Sequence, residues 1–324
     1  MFRGIRFVPT DTKIDFIGKR VIAMALSGLL ILVSLGSLAV QGLNFGIDFA
    51  GGILVEVRTE QQADLAGMRG TLNNLGLGEV SITRLGDSGR DVMIRVPKQP
   101  GEEEAQMAAL NAVKDALGEG VEYRRTELVG PKVGDELMTD GAMAVGIALL
   151  VIAAYIWFRF EWQFAMGALV ALMHDIIATI GIFSILQLDF DLTTVAALLT
   201  IAGYSINDTV VNYDRVRENL RKYKLLPLPD LINKSLNQVL SRTILTSGTT
   251  LLAVLAILIF GGPVLRGFAF ALTWGIVIGT WSSIYVGMPI LLYTGVRRDT
   301  EEEDIPGVNA EQAQPGGEQP ESKG

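Results

Sequence analysis

The sequence predicts an α-helical polytopic membrane protein: six transmembrane helices, with one small α+β domain of ferredoxin-like βαββαβ order outside the bilayer. Three observations lead there. Of the 324 residues, 49% are hydrophobic, and a mean hydropathy of +0.38 is too apolar for an ordinary soluble domain. Six separate apolar stretches approach the length of about 20 residues needed to cross a hydrocarbon core of ~30 Å. The segment between the first and second stretches is instead patterned as alternating strands and amphipathic helices.

The spans are placed near 21–40, 139–158, 164–186, 193–213, 243–262 and 266–294. The first follows Arg3, Arg6, Lys13, Lys19 and Arg20, as a signal peptide would. Its apolar run of about 20 residues exceeds the ~7–15 of a cleaved h-region, so it is read as a retained anchor. Basic residues orient the rest. They crowd residues 1–20, the loop after span four (Arg215, Arg217, Arg221, Lys222, Lys224, Lys234) and the end of span six (Arg297, Arg298). The loop 187–192 has two aspartates and no basic residue. Both termini are therefore expected in the cytoplasm, with 1–20 as a cytoplasmic N-terminus. Arg266, near the outer turn Gly261-Gly262-Pro263, is the one residue against the rule.

Residues 41–138 then form the single large extracytoplasmic piece. Strands are expected at 53–58, 79–84, 91–96 and 121–128, and helices at 61–75 and 102–117. The turn Gly86-Asp87-Ser88-Gly89 joins the middle strands. That order is the ferredoxin-like split unit, large enough for one small core. Spans two to six occupy 139–294. Residues 295–324 read as a disordered acidic cytoplasmic tail, rich in Glu, Pro, Gly and Gln. From Asp299 onward it holds eight acids and one lysine. The formal net charge of −8 is thus almost entirely the tail's. No basic face suggests nucleic acid. With no cysteine, thiol chemistry is absent.

The chemistry is expected in span four, where residues 203–209 read GYSINDT. A carboxylate in the bilayer costs several kcal/mol without a partner or a proton. Asp208 lies six residues before Asp214, about 9 Å along the helix axis. Tyr204, Asp208 and Asn212 share a face, with Asn207 beside it. Span five offers a partner in SRTILTSGTT (241–250), where Arg242, Thr246 and Thr250 recur at i, i+4, i+8. Arg242 is within reach of Asp208, and the threonine hydroxyls are placed to hold water along the same line. Protonation of Asp208 would break such a pair. The plainer alternatives are a structural carboxylate at Asp208 and a snorkelling interfacial anchor at Arg242. Span three adds His174, the only histidine, with Asp175 and Thr179. A packing hydrogen bond is favoured over a relay for that pair. DRVREN, from Asp214 to Asn219, reads as a solvated helix end.

Several long motifs in one order carry a resemblance: FGIDFAGG (45–52), His174-Asp175, GYSINDTVV (203–211), SRTILTSGTT (241–250) and FGGPVLRGF (260–268). Together with the span layout, the chain resembles the SecF family, membrane subunits of the bacterial Sec protein-export machinery. The resemblance spans the first helix to about residue 294. It implies an RND-superfamily architecture, with one six-span half per subunit, in the bacterial inner membrane. It implies SecD as an obligate partner, working beside the SecYEG channel, with YajC and YidC associated and a preprotein as the translocated chain. It implies use of the proton motive force, with the proton-pathway carboxylate falling on Asp208 and the essential basic residue on Arg242. Asn212-Tyr213 before Asp214 and the long acidic tail depart from the family pattern.

The function expected is a proton-driven export subunit and not an enzyme, with no cofactor. The coupling ion is H⁺, with Na⁺ left open because a carboxylate serves both. A proton-coupled exporter of small molecules or lipids, and a non-conducting scaffold, are the alternatives. A Walker loop, an HExxH motif and clustered metal ligands are all missing from the sequence.

Overall fold

The computed structural model describes residues 12–296 apart from 87, 102 and 119. The expectations for Arg3, Arg6, Arg297, Arg298 and the acidic tail, and for Asp87 and residue 102, lie outside the described residues. Among the described residues, six helices are long and apolar enough to cross a membrane. They are α1 (Arg20–Val40), α5 (Pro131–Arg159), α6 (Trp162–Leu186), α7 (Leu192–Lys222), α8 (Leu228–Phe260) and the continuous run Gly262–Tyr293. The last comprises α9 (Gly262–Ser282), a π turn (Ser283–Gly287) and α10 (Met288–Tyr293).

Three helices run well beyond their apolar stretches. α5 begins at Pro131, where the ring's fixed φ suits the first helical position. It therefore starts eight residues before the expected 139. α7 continues past 213 to Lys222, and α8 starts at Leu228, far ahead of the expected 243. Hydropathy marks only the part of a helix that lipid would contact; these polar extensions are held by packing. Span six, expected at 266–294, starts at Gly262 because the turn between α8 and α9 is a single residue, Gly261. Gly262 has φ +76°, a backbone that side chains rarely tolerate.

The small domain is a four-stranded antiparallel sheet with two helices. Its elements are β2 (Gly52–Thr59), α3 (Leu65–Asn73), β3 (Ser81–Leu85), β4 (Asp91–Val96), α4 (Glu103–Leu117) and β5 (Val121–Val129). The strand order is β3-β4-β2-β5. β4 alternates, with Val92, Ile94 and Val96 buried and Asp91, Met93 and Arg95 half-buried. With Ile53, Val55, Val57, Leu72 and Val113 these form the domain's core. α3 is shorter than the expected 61–75. Asp64 caps it, its Oδ1 accepting from the Ala66 and Gly67 amides at 3.1 Å.

The FGIDFAGG segment anchors this domain to the bundle. β1 (Asn44–Phe45) pairs in parallel with β6 (Asp189–Phe190), joining two loops that the sequence reading left unpaired. A short helix, α2 (Ile47–Ala50), follows. Asp48 Oδ2 accepts from the Leu192 amide at 3.0 Å, at the start of α7. Asp191 Oδ1 caps α7 through the Thr194 amide at 2.8 Å. Asp189 accepts from Asn44 Nδ2 at 2.8 Å and from Arg95 of the sheet at 2.6 Å. Gly52 sits at φ +125°, and a Cβ there would meet Val96 O at 2.4 Å. Gly52 is thus imposed by close backbone approach, and Gly51 by its left-handed backbone at φ +70°.

Small residues let the helices touch. A Cβ on Gly181 of α6 would lie 2.2 Å from Ser34 of α1, and one on Gly275 of α9 would lie 2.4 Å from Ile201 of α7. Tyr213 is fully buried among Phe160, Phe164 and neighbours, and donates to Gly287 O at 2.9 Å. That acceptor lies in the π turn, where the helical ladder is interrupted.

Candidate functional site

α7 runs through the bundle and buries Ser205, Asp208, Thr209 and Asn212 on its inner face. Asp208 is buried, and its Oδ2 has no hydrogen-bond partner among the described residues. Asn212, one turn on, is buried with both amide atoms unpartnered, and Tyr204 Oη is likewise buried and unpartnered. The shared face inferred from the i, i+4 spacing is therefore present. Unpartnered buried polar atoms are rare enough in folded proteins that four in one column, on three residues, call for a role.

Asn207 does not join them. It is exposed on a different side of α7, because one residue turns a helix by about 100°.

The polar groups that act on Asp208 are Thr243 and Arg242 of α8 and Ser283 of the π turn. No direct ion pair joins Asp208 to Arg242 within 4 Å. Arg242 is exposed, and the neighbouring Thr243 is the residue of α8 that buries toward α7. Thr243 Oγ1 is itself buried and, among the described residues, has no partner besides Asp208. Thr246 and Thr250 bond first to their own helix. Thr246 Oγ1 donates to Arg242 O at 3.0 Å and Thr250 Oγ1 to Thr246 O at 2.8 Å. Their donor protons are spent on their own helix, a common fate of helical threonines. Ser247, not Thr246, continues the buried line, meeting Thr280 Oγ1 at 2.9 Å.

His174 and Asp175 are brought into the same region by α6. Asp175 is fully buried, and both of its carboxylate oxygens are bonded. Its Oδ1 meets His174 Nδ1 at 2.9 Å. Its Oδ2 accepts from Ser205 Oγ at 2.5 Å and Ser282 Oγ at 2.7 Å. Thr179 Oγ1 donates to the Asp175 carbonyl at 2.7 Å. Gly279, facing Asp175 and Ser205, leaves the room for this approach. One carboxylate thus ties α6, α7 and α9 together. Ser205 lies three residues before Asp208, and Ser282 adjoins Ser283, so the node and Asp208 are neighbours. His174 Nε2 is buried without a partner.

Ser205, Thr243, Ser282 and Ser283 were missed by sequence reasoning. Serine and threonine are frequent in membrane helices. Ser205 is read from the sequence only as a small residue that lets a neighbouring helix approach, not as a donor.

Fold and site together define a polytopic helical membrane protein, with a small sheet domain at one end and a buried carboxylate pair at its centre. Comparison with known proteins makes this specific. Residues 109–297 match the family model described as "Protein export membrane protein SecD/SecF, C-terminal", and residues 36–63 match the "SecD/SecF GG Motif". The chain is 46% identical over 308 residues to the protein translocase subunit SecF of Cereibacter sphaeroides, covering 93% of this chain and 95% of the relative. It is 47% identical over 291 residues to that of Rickettsia rickettsii, covering 89% and 94%. The crystal structure of SecDF, a translocon-associated membrane protein from Thermus thermophilus, superposes with a TM-score of 0.80 at 38% identity. The match covers 90% of this chain and 40% of that one, so this chain spans about two fifths of its length. The chain belongs to the SecF family of protein translocase subunits.

Proposed function

We propose that this chain is the SecF subunit of a SecDF complex that uses the proton motive force to assist Sec-dependent protein translocation across the inner membrane. Asp208 exchanges the proton and Arg242 responds to its charge. The single observation that carries the reading is the column of buried, unpartnered polar atoms on α7, with Asp208 at its middle. A buried carboxylate held only by hydroxyls, with Oδ2 lacking a fixed partner, is suited to taking up and losing a proton. Arg242 acts on it across a gap, without a locked ion pair. A helix shift that closes or widens that gap changes the cost of the charged form. The membrane potential supplies about 2.3 kcal/mol per charge per 100 mV, enough to move a two-state equilibrium by more than tenfold. Asp175, His174, Tyr204 and the hydroxyls of Thr243 and Ser283 are the supporting groups.

The order β3-β4-β2-β5, with a helix in each crossover, fits the ferredoxin-like split unit, which we place on the outer face. Both termini are placed in the cytoplasm, following the basic residues. The SecF relatives and the SecDF structure support SecD as the partner that completes the bundle. SecYEG, YajC and YidC, and the preprotein itself, follow from the family resemblance. The reading uses H⁺ as coupling ion and needs no enzymatic step and no cofactor.

The test is Asp208→Asn in the assembled complex. Preprotein export by membrane vesicles should lose its dependence on the proton gradient while assembly stays normal. Export that keeps this dependence in the variant would defeat the reading. Ion flux in sodium-free and sodium-containing buffer distinguishes H⁺ from Na⁺.

A further inference from the structure

At the end of the bundle opposite the sheet, α5 and the extension of α7 enclose a cleft of 480 Å³. It is lined by Arg159, Asp214, Arg217, Glu218, Arg221 and Lys222, four cations against two carboxylates. Two of the cations are held in place. Arg159 Nη2 donates to both oxygens of Asp214, at 2.9 and 3.0 Å. Its guanidinium also lies 5.0 Å from the Phe160 ring centroid. Arg217 lies 5.4 Å from the same ring and 4.0 Å from Asp214. Phe160 is buried, so one fixed ring and one carboxylate orient both guanidinia. Glu218 is engaged by Arg215 at 2.5 Å. Arg221 and Lys222 face the cleft with no carboxylate partner among the described residues.

The surface next to the cleft is apolar. Phe158, adjoining Arg159, is 90% exposed, and Tyr155, Trp157 and Trp162 are each more than half exposed. Further along α5, Ile147, Leu150 and Val151 are also exposed. Aromatic residues at this level are the mark of a membrane interface. A cationic cleft that opens onto an aromatic rim and then an aliphatic helix face matches one amphiphile, anionic at one end and apolar along its length.

We propose that this cleft binds the headgroup phosphate of an anionic phospholipid, whose acyl chains lie along the exposed face of α5. Arg159 and Arg217 orient the phosphate through the donors that Asp214 leaves free. Arg221 and Lys222 supply the uncompensated charge. The proposal does not depend on proton exchange at Asp208.

The experiment uses the purified full chain in nanodiscs of phosphatidylcholine, with or without phosphatidylglycerol. Retained lipid is read by native mass spectrometry, and folding by thermal unfolding. Wild type should retain phosphatidylglycerol selectively. The double variant Arg221→Gln with Lys222→Gln leaves the Arg159–Asp214 clamp intact. It should weaken retention about fivefold per charge removed, hence roughly twenty-fivefold, without lowering the unfolding temperature. Phe158→Ser should weaken retention with every charge in place. Equal retention of both lipids by wild type, or undiminished retention by the double variant, would overturn the proposal. A third arm adds inorganic phosphate to the chain in uncharged detergent. If phosphate alone protects the cleft as fully as the lipid does, the site is one for free phosphate and the lipid assignment falls.

Discussion

The side-chain amide of Asn237 pairs with both backbone groups of Ile14. Nδ2 donates to Ile14 O and Oδ1 accepts from Ile14 N, each at 2.9 Å. One turn earlier on α8, Asn233 Oδ1 accepts from the amides of Phe16 and Ile17 at 2.9 and 3.0 Å, and its Nδ2 donates to Asp15 at 2.8 Å. The segment before α1 is therefore strapped along the first turns of α8, as if it were a strand. Phe16 and Ile17 bury against Leu231, Ile232 and Leu236 beneath it. Asn219 holds the other flank, donating to Ser235 and Gln238 at 2.8 Å each. The polar extension of α8, which carries none of the span's hydropathy, is thus gripped from two sides. Its rotation, which decides whether Arg242 or Thr243 faces Asp208, is set there.

Asn237→Leu keeps the size of the side chain and removes both bonds to Ile14. Hydrogen exchange at the 14–17 amides should accelerate while that of α6 stays unchanged. The pair is exposed to water, so the loss of stability should be about 1–2 kcal/mol. Unaltered exchange at residue 14 would mean the strap is held by Asn233 and by burial of Phe16 and Ile17, without Asn237.

The Asp175 node should behave as one unit. Ser205→Ala and Ser282→Ala each remove one donor to Oδ2 and should each cost about 1–3 kcal/mol. Asp175→Ala leaves both hydroxyls without their acceptor and should cost more than either. Because the three groups share one carboxylate, the two serine effects should not add in the double variant. Unfolding of the four variants in detergent measures the coupling, and strict additivity would refute a shared node.

Two carboxylates in the sheet domain pull its pH dependence in opposite directions. Hydrogen bonds from Arg58 hold Asp91 at about 2, below the usual carboxylate value. Its stabilisation is present above the unfolded value and is lost as pH falls through about 2. Burial raises Glu56, against the opposing pull of Arg125. Here the folded domain binds the proton more tightly than the unfolded chain. The charged form therefore costs stability at neutral pH, and that cost is relieved as pH falls through the raised value. Glu56→Gln should make the domain more resistant to denaturant at pH 7, with the advantage shrinking toward pH 4. A destabilised Glu56→Gln domain at pH 7 would show that the contact with Arg125 outweighs burial.

Much of this was legible in the chain itself. Apolar runs located all six spans, because a bilayer-length helix is a local property of composition. The alternation in 91–96 located β4, and the four-residue spacing put Tyr204, Asp208 and Asn212 on one face. The FGIDFAGG, GYSINDTVV and SRTILTSGTT segments pointed to the family that the comparisons then showed. The parallel pairing of Asn44–Phe45 with Asp189–Phe190 was not legible, since two-residue strands 145 positions apart leave no periodic trace.

The sequence by itself determined where the six apolar spans lie, which polar residues they carry into an apolar setting, and the order of elements in the small domain. Only the tertiary structure decided which of those polar residues meet. Arg242 and Thr243 are adjacent in the chain yet point about 100° apart on α8. Asp175 finds Ser205 and Ser282 on two other helices at positions no spacing rule connects. Short polar side chains bond only within about 3 Å, so their partners depend on the rotation and closeness of whole helices. Those are set by Gly181, Gly275 and Gly279, by the π turn at Ser283, and by the strap at Asn233 and Asn237.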